Sequence, residues 1–294
     1  MSVFLGADAE QMLERWYQHF QTALPYPTTS RTVPTSLGDT HVLVTGPETA
    51  APFVLFHGAL SGAPHALGQM GDFPARHRVY AVDVPGQSIR APQVRPDPEA
   101  TGRWVVDVLD GLGLDRAVLS GASWGGHVAL RGAAAATDRV LGLFLVVPAA
   151  LVKAPVWPQL RDMGIPLMLY KLFPTPARRD RMLMGQFSTH DPMWAAFIAD
   201  TMRCVKLDFN VPPVIADDVF AGLTAPVAVM AAERDVSFPG EALLERARAL
   251  FPNLVQAHLI EGSNHIPAFD GSFTPGFVAA MEQLAASAGA YASS

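Results

Sequence analysis

The sequence predicts a doubly wound α/β fold, built on a mostly parallel sheet that a helical segment interrupts. Short, almost wholly apolar runs end at glycine or proline, which is typical of buried strands in a parallel sheet. Helix-like segments alternate with these runs, as the crossover connections of such a sheet require. From about residue 150 to 222 strand-like runs are missing and prolines and methionines become frequent, which indicates a helical insertion.

The predicted elements follow in a regular order. A helix is expected over about residues 8–24, because apolar side chains recur there at helical spacing, and the alternating residues of THVLVTG predict a half-exposed strand. Six further strands are predicted in the runs PFVLFHG, HRVYAVDVPG, RAVLSGAS, RVLGLFLVV, APVAVMAAE and LVQAHLIEG. The helices that accompany them are predicted at GRWVVDVLDGLG, GGHVALRGAAAA, GEALLERARALF and 274–288.

This pattern divides the chain into two units. Residues 1–149 and 223–294 are expected to form the α/β core, and residues 150–222 a helical cap inserted before the late strands. The methionines and tryptophans of the cap are expected mainly in its interior, with a minority facing a substrate cavity. The cap is therefore the predicted source of substrate contacts, although no single residue of it is assigned.

The composition of the chain indicates which partners, cofactors and cellular location to expect. The 294 residues are half hydrophobic, and the net charge of −6 is scattered, so nucleic acid is not an expected partner. The only cysteine, Cys204, has no neighbours suited to a metal site, and neither metal nor cofactor is expected. The start of the sequence has no basic n-region and the longest apolar run is too short for a membrane span, so we expect a cytoplasmic protein. Monomer and homodimer both stay open.

One serine lies in a backbone context that favours chemistry. Residues 121–125, GASWG, fit the pattern G-x-S-x-G where a predicted strand ends and a helix begins. A serine on so sharp a turn has a strained backbone, and the residues two before and two after it must be small because strand and helix crowd together there. The turn raises the hydroxyl above the sheet. Ser123 is therefore the predicted nucleophile.

A serine hydroxyl needs a base, and the base needs a group that orients it. His265 follows the last predicted strand and Asp235 follows the strand before it, so both are expected at the same edge of the sheet as Ser123. The chain order serine, aspartate, histidine fits such a site. Glu233 is the rival for the acid, and His57 is interpreted as a structural hydrogen-bonding group.

Two backbone amides complete the predicted site. Gly58 gives the turn after a strand the freedom to point the amide of Ala59 into the site, and the amide of Trp124 points in from the other side. Two such donors stabilise an oxyanion. The sequence thus predicts an oxyanion hole made of main-chain groups.

These motifs together carry a family resemblance from about residue 40 onward. The chain resembles the α/β-hydrolase superfamily in the stretches HGAL, VYAVDVPGQS, GASWGG, AERD and GSNH. It is most similar to bacterial carboxylesterases of the naproxen-esterase type in HGAL, WVVDVLDGLGL and IADDVFAGLTAPVAVMAAERD. The resemblance implies that Asp83 and Gly86, in the DVPGQS turn, are mainly structural.

The resemblance also implies a reaction. It implies a cofactor-free serine hydrolase with a triad of Ser123, Asp235 and His265 and with the amides of Ala59 and Trp124 as the oxyanion hole. Small, mainly apolar carboxylic esters are the implied substrates, cleaved through an acyl-enzyme. Other chemistry with the same triad stays open: a lactonase, a perhydrolase, a carbon–carbon hydrolase or a proline-iminopeptidase-like enzyme. So does a slow-turnover small-molecule sensor.

Overall fold

The structure, a computed structural model, describes residues 3–206, 211–268 and 273–292. The strands of this part of the chain are β1 (Thr29–Val33), β2 (Thr40–Thr45), β3 (Pro52–Phe56), β4 (Arg78–Val82), β5 (Ala117–Ala122), β6 (Val140–Val146), β7 (Val227–Ala232) and β8 (Leu254–Ile260). They form one sheet in the order β1-β2-β4-β3-β5-β6-β7-β8. β2 is antiparallel to both its neighbours, and all other pairs are parallel. The predicted doubly wound, mostly parallel sheet is confirmed.

The helices cover both faces of this sheet. They are α1 (Ala7–Thr22), α2 (Ala63–Gly68), α3 (Pro98–Leu112), α4 (Trp124–Ala135), α5 (Val156–Gln159), α6 (Ile165–Leu172), α7 (Pro176–Met184), α8 (Pro192–Cys204), α9 (Gly240–Leu250) and α10 (Thr274–Ala292). One apolar cluster on one face includes Trp104 of α3 and Val128 of α4, and a second on the other includes Leu67 of α2 and Met281 of α10. None of the helices in the described ranges combines the length and apolar character needed to cross a membrane.

Strand β1 and helix α2 are absent from the sequence-based prediction. Four of the five residues of β1 are exposed, so this edge strand lacks the apolar run that identifies the buried strands. Helix α2 has only six residues, too few to show a helical period. The remaining strands and core helices lie where the sequence predicts them, with ends shifted by a few residues.

The segment between β6 and β7 is helical, as predicted for the insertion. It holds α5 to α8, and α5 and α6 are joined by a π turn over Leu160–Gly164 into one continuous helical run. Residues 207–210 of the predicted cap, 150–222, lie outside the described residues. The division into core and cap stays a prediction, and we use the word cap for residues 150–206.

Candidate active site

Three strand ends place the predicted catalytic side chains at one edge of the sheet. Ser123 directly follows β5, Asp235 lies in the turn after β7, and His265 lies in the loop after β8. Since β5 to β8 are parallel, their carboxyl ends open to the same side. The topology alone therefore brings together residues that are more than 140 positions apart in the chain.

The turn at Ser123 has the strained geometry that its sequence predicts. Its φ of 53° and ψ of −114° lie outside the regions that side-chain-bearing residues ordinarily adopt. A Cβ added to Gly121 would overlap the backbone of Gly125, and one added to Gly125 would overlap the carbonyl of Phe56. Both glycines are therefore required by close packing of β5, α4 and β3, and this packing holds the serine in place.

A chain of hydrogen bonds joins the three side chains. His265 Nδ1 donates to Asp235 Oδ2 at 2.7 Å, because the ionised carboxylate can only accept. The neutral ring then has its lone pair at Nε2, which accepts the hydroxyl proton of Ser123 over 2.9 Å. His265 and Asp235 are both buried. The arrangement is that of a serine whose proton can pass to an oriented imidazole.

Asp235, and not its rival Glu233, contacts the histidine. The second oxygen of Asp235 accepts the amide protons of Ser237 at 2.7 Å and Phe238 at 3.0 Å, which fixes the orientation of the carboxylate. The Glu233 carboxylate is exposed and accepts the amide proton of Gly262 at 2.7 Å. The structure thus gives Glu233 a separate role in closing the turn after β8.

Both amides of the predicted oxyanion hole are free donors. Neither the N–H of Ala59 nor that of Trp124 donates to an acceptor within the described residues. Trp124 is the first residue of α4, so its N–H has no acceptor in the preceding helical turn. Ala59, Trp124 and Ser123 all line the same cavity. Two unpaired donors therefore lie beside the serine.

His57 controls the peptide group that carries the Ala59 amide. The amide of Val84 donates to His57 Nε2 at 2.9 Å, so the ring proton must be on Nδ1, which donates to the Gly58 carbonyl at 2.7 Å. That carbonyl and the Ala59 N–H belong to one trans peptide and point in opposite directions. Burial lowers the pKa of His57, so the ring stays neutral and this hydrogen-bond pattern is kept. This supports the structural interpretation of His57.

Asp83 connects this turn to the N-terminal helix. Its fully buried carboxylate accepts hydrogen bonds from the Tyr17 hydroxyl at 2.7 Å, His41 Nδ1 at 2.8 Å, the Ser88 hydroxyl at 2.6 Å and the Ala63 amide at 2.9 Å. Burial opposes ionisation, but the hydrogen bonds, led by that of His41, outweigh it, and the pKa of Asp83 lies below its ordinary value. The residue thus connects α1, β2 and α2 beneath the site.

The triad opens into a cavity of about 390 Å³ between the sheet edge and the cap. Three of the four non-glycine residues with positive φ in the described part of the chain, Leu60, Ser123 and Val147, line it, so backbone strain is concentrated at this site. None of the described lining side chains belongs to aspartate, glutamate, lysine or arginine. The cavity is therefore mainly apolar, and apart from the catalytic groups its polar side chains are uncharged.

Four of the eight methionines and tryptophans in the cap line the cavity, which is more than the expected minority. These are Met163, Met182, Met202 and Trp194. The other four, Trp157, Met168, Met184 and Met193, are exposed rather than packed in the interior. The expectation that most of them form the interior of the cap is therefore wrong, because the cap is too thin to have a large core of its own.

The cap also holds the loop that carries His265, a contact that the sequence analysis missed. The Ser188 hydroxyl accepts the amide proton of Asn264 at 2.9 Å and donates to the carbonyl of Ile266 at 2.9 Å, so it binds the residues on both sides of the histidine. The Ile266 amide donates to the carbonyl of Gln186 at 2.7 Å. No motif in the sequence signals these contacts, because they depend on a long-range approach of two loops.

One residue of the cavity lining contains a buried polar atom without a partner. Nε2 of Gln186 is buried and donates no hydrogen bond to any described residue. An amide N–H left unpaired in an apolar site is unfavourable unless a ligand or water accepts its proton. Gln186 is therefore a candidate substrate contact that the sequence alone does not reveal.

Comparison with known proteins identifies the family of this chain. The sequence profile of the alpha/beta hydrolase family matches residues 53–281, which is most of the chain. The protein belongs to the alpha/beta hydrolase family. Two curated relatives come from Bacillus subtilis strain 168: the uncharacterized carboxylesterase nap, 24% identical with 86% of each chain covered, and the carboxylesterase YbfK, 26% identical with 86% of this chain and 88% of the relative covered.

Solved structures show the same fold. The crystal structure of naproxen esterase (carboxylesterase NP) from Bacillus subtilis superposes with a TM-score of 0.79 at 22% identity, over 95% of this chain and 98% of the other. The carboxylesterase CesB (YbfK) from the same organism gives a TM-score of 0.75 at 21% identity, over 94% and 98% of the two chains. This hydrolase thus shares its architecture with both over nearly their full length.

Proposed function

We propose that this hydrolase is a carboxylesterase that cleaves small, neutral, mainly apolar esters through an acyl-enzyme. The observation that carries the proposal is the hydrogen-bond chain from Asp235 through His265 to Ser123 at the mouth of an apolar cavity. The carboxylesterase relatives support the same reaction class. No cofactor is part of the proposed reaction, because these three side chains and two amides supply every group that it needs.

The first half of the reaction forms the acyl-enzyme. Ser123 Oγ attacks the ester carbonyl carbon as its proton passes to Nε2 of His265. The Asp235 carboxylate stabilises the imidazolium and keeps Nδ1 protonated. The carbonyl oxygen becomes an oxyanion between the Ala59 and Trp124 amides, and collapse of the intermediate breaks the bond to the alcohol, which leaves with the proton from Nε2.

The second half repeats these steps with water. His265 Nε2 takes a proton from the water as its oxygen attacks the acyl carbon, and the second tetrahedral intermediate uses the same two amides. Collapse then releases the acid and returns the proton to Ser123 Oγ. The enzyme ends in the state in which it began.

The cavity lining supports a neutral, apolar acyl group. A charged substrate would lose its hydration in a cavity with no charged lining group to replace it, which costs several kcal/mol. Methionine and aromatic side chains instead offer apolar contact to a large acyl group. Gln186 lines the cavity and its buried Nε2 has no partner, so a rotation of this side chain would offer one hydrogen bond, and we expect preferred substrates to carry a neutral acceptor, such as an ether or carbonyl oxygen, away from the ester.

The nucleophile is tested by Ser123→Ala. Hydrolysis of p-nitrophenyl esters is expected to fall about a million-fold, as for removal of the nucleophile in other serine hydrolases. Labelling by a fluorophosphonate is expected in the wild type and absent in the variant. Ser287→Ala, at a half-buried serine on α10 whose hydroxyl donates to the Gln283 carbonyl, is the matched control and should keep both properties.

The reaction class needs a second measurement. Esters, lactones and prolyl amides are offered to the wild type in parallel, and the highest kcat/KM is expected for uncharged esters. Faster turnover of lactones or amides would contradict the ester assignment while leaving the nucleophile intact. Labelling of Ser123 without sustained turnover of any substrate would instead assign the site to a sensor.

A further inference from the structure

The outer surface of the cap is unusually apolar. Eight of the fourteen exposed large hydrophobic residues in the described part of the chain lie within residues 156–173. We call these eight the outer cap face: Val156, Trp157, Leu160, Ile165, Met168, Leu169, Leu172 and Phe173. Trp157 is 67% exposed and Leu172 is 63% exposed. Exposed apolar side chains concentrated on one helical run in this way indicate an interaction site, because the other exposed ones in the described part of the chain are scattered.

The helical run that carries this face is apolar on two sides. Its inner side contributes Met163 and Leu167 to the cavity, while Pro166 and Tyr170 are buried against the rest of the cap. A helix with apolar residues all round is normally enclosed. The outer side of this run is in contact with solvent instead, so a partner that covers it would remove the remaining apolar surface from water.

The cap differs in charge from the rest of the protein. Residues 150–206 contain eight lysines and arginines and four aspartates, a net charge of +4, so the remainder of a chain with net charge −6 carries −10. Two of these aspartates pair within the cap: Asp162 with Arg161 at 2.6 Å and Asp180 with Arg179 at 2.8 Å. The cap therefore has an excess of cations that its own acids do not neutralise.

Some of these cations adjoin the outer cap face. Arg178 is exposed and its guanidinium lies over the ring of Phe173, 5.1 Å from its centre, while it donates to the Phe173 carbonyl at 3.0 Å. Lys153 is exposed three residues before the face begins and pairs with no carboxylate in the described ranges. Arg161 lies within the helical run and is 62% exposed. Positive charge thus borders apolar surface.

We propose that the outer cap face docks on an anionic lipid surface. Tryptophan, phenylalanine and leucine flanked by lysine and arginine are the combination that places a helix in the plane of a membrane interface, with the apolar side chains below the headgroups and the cations among them. A second copy of the chain is disfavoured, since a symmetric contact would bring two cationic caps together. Docking would place the substrate cavity next to the lipid, one helix away.

Flotation with lipid vesicles tests this proposal. The full chain is mixed with vesicles of phosphatidylcholine alone, or of phosphatidylcholine with phosphatidylglycerol. Binding is expected to the anionic vesicles, to weaken as salt is raised, and to be much weaker with phosphatidylcholine alone. The assay measures binding, so its result does not depend on whether the proposed esterase reaction is right.

Matched variants locate the surface. Trp157→Ser with Leu172→Ser is expected to lower binding to anionic vesicles at least about tenfold, because two large apolar side chains no longer enter the lipid. Lys153→Gln with Arg178→Gln should lower it about fivefold per charge. Val94→Ser with Val255→Ser removes two exposed apolar side chains elsewhere and should leave binding unchanged. Circular dichroism confirms that each variant is folded.

Three outcomes would overturn the proposal. The first is no flotation with anionic vesicles, and the second is equal flotation with both kinds of vesicle. The third is vesicle binding that survives the Trp157 and Leu172 substitutions but is lost with the Val94 and Val255 substitutions. If the chain instead elutes as a dimer without lipid, binds no vesicles, and becomes monomeric on substitution of Trp157 and Leu172, the face belongs to a second copy.

Discussion

The two walls of the cavity are held in place by different forces. The wall at the sheet edge carries the triad, and there each catalytic group is held by short, directed hydrogen bonds such as those of Asp235 to the amides of Ser237 and Phe238. The cap wall contributes mainly methionine and aromatic surface, with Gln186 as an unpaired polar group. Directed bonds fix the reacting atoms, whereas apolar contact adapts to different acyl groups. The comparison indicates that substitutions in the cap wall can change which acyl groups are accepted without changing the catalytic reaction at the sheet wall.

After the loss of the nucleophile, the largest expected effect is that of the acid on the sheet wall. Asp235→Asn should lower kcat about ten-thousand-fold, because an amide nitrogen facing His265 would favour the wrong tautomer and leave no lone pair for the serine proton. Steady-state hydrolysis of a p-nitrophenyl ester measures it. Glu233→Gln is the control and should stay within about twofold. A large loss in Glu233→Gln and none in Asp235→Asn would instead assign the catalytic acid to Glu233.

The next effect concerns the junction of the two walls. His65 of α2 is buried between Phe20 of α1 and Phe197 of α8, with ring centroids 4.2 and 4.4 Å away, and neither ring nitrogen has a partner in the described residues. Burial lowers its pKa to about 3. Between pH 6.5 and pH 3 the unfolded chain binds a proton at this residue and the folded protein does not. The contribution of the neutral ring to the free energy of unfolding is therefore fully present above pH 6.5 and is lost as the pH falls.

His65→Phe should remove this contribution. Urea titrations at several pH values give the free energy of unfolding of both proteins. Between pH 6 and 4 this free energy should fall with decreasing pH in the wild type, and the fall should be smaller in the variant by about 1.4 kcal/mol per pH unit. At pH 8 the ring is neutral in both states, so the difference between the two proteins there reports packing alone. Parallel pH profiles from 8 to 4 would mean that the junction admits water and the histidine protonates in the folded protein.

A smaller effect tests whether the two walls are independent. Ser188→Ala removes the hydroxyl that binds Asn264 and Ile266 on either side of His265. Two lost hydrogen bonds allow the base to shift, and kcat is expected to fall about tenfold with KM less affected. Thr189→Ala, the exposed neighbour, is the control. An unchanged kcat would show that the sheet wall positions the base without the cap.

The smallest effect concerns selectivity. Gln186→Met keeps a side chain of similar length but removes the amide donor. For an ester with an ether oxygen in its acyl part, kcat/KM is expected to fall about fivefold, the value of one neutral hydrogen bond, while the all-hydrocarbon analogue is unaffected or improves. An equal fall in kcat/KM for both esters would mean that Gln186 stabilises the cap and does not bind the acyl oxygen.

The same contrast explains what the sequence could predict. The sheet wall depends on short-range rules, since a glycine on each side of a sharp turn and a residue just after a strand can be recognised in the chain itself. The sequence alone therefore predicts that Ser123, His265 and Asp235 lie at one edge of the sheet. The cap wall depends on tertiary approach, so neither the Ser188 contacts nor the unpaired Gln186 has a signature. The missed strand β1 has the same cause, because an exposed edge shows no apolar pattern.

The π turn over Leu160–Gly164 has a further consequence for how such a cap can vary. It holds one residue more than the α-helical path between the same two ends needs, so deleting one residue from it would restore regular spacing while α5 and α6 keep their orientation to each other. Leu167 would still face the cavity, and the change would be confined to the turn that carries Met163. A one-codon deletion would therefore reshape one short part of the cavity wall without introducing a new amino acid.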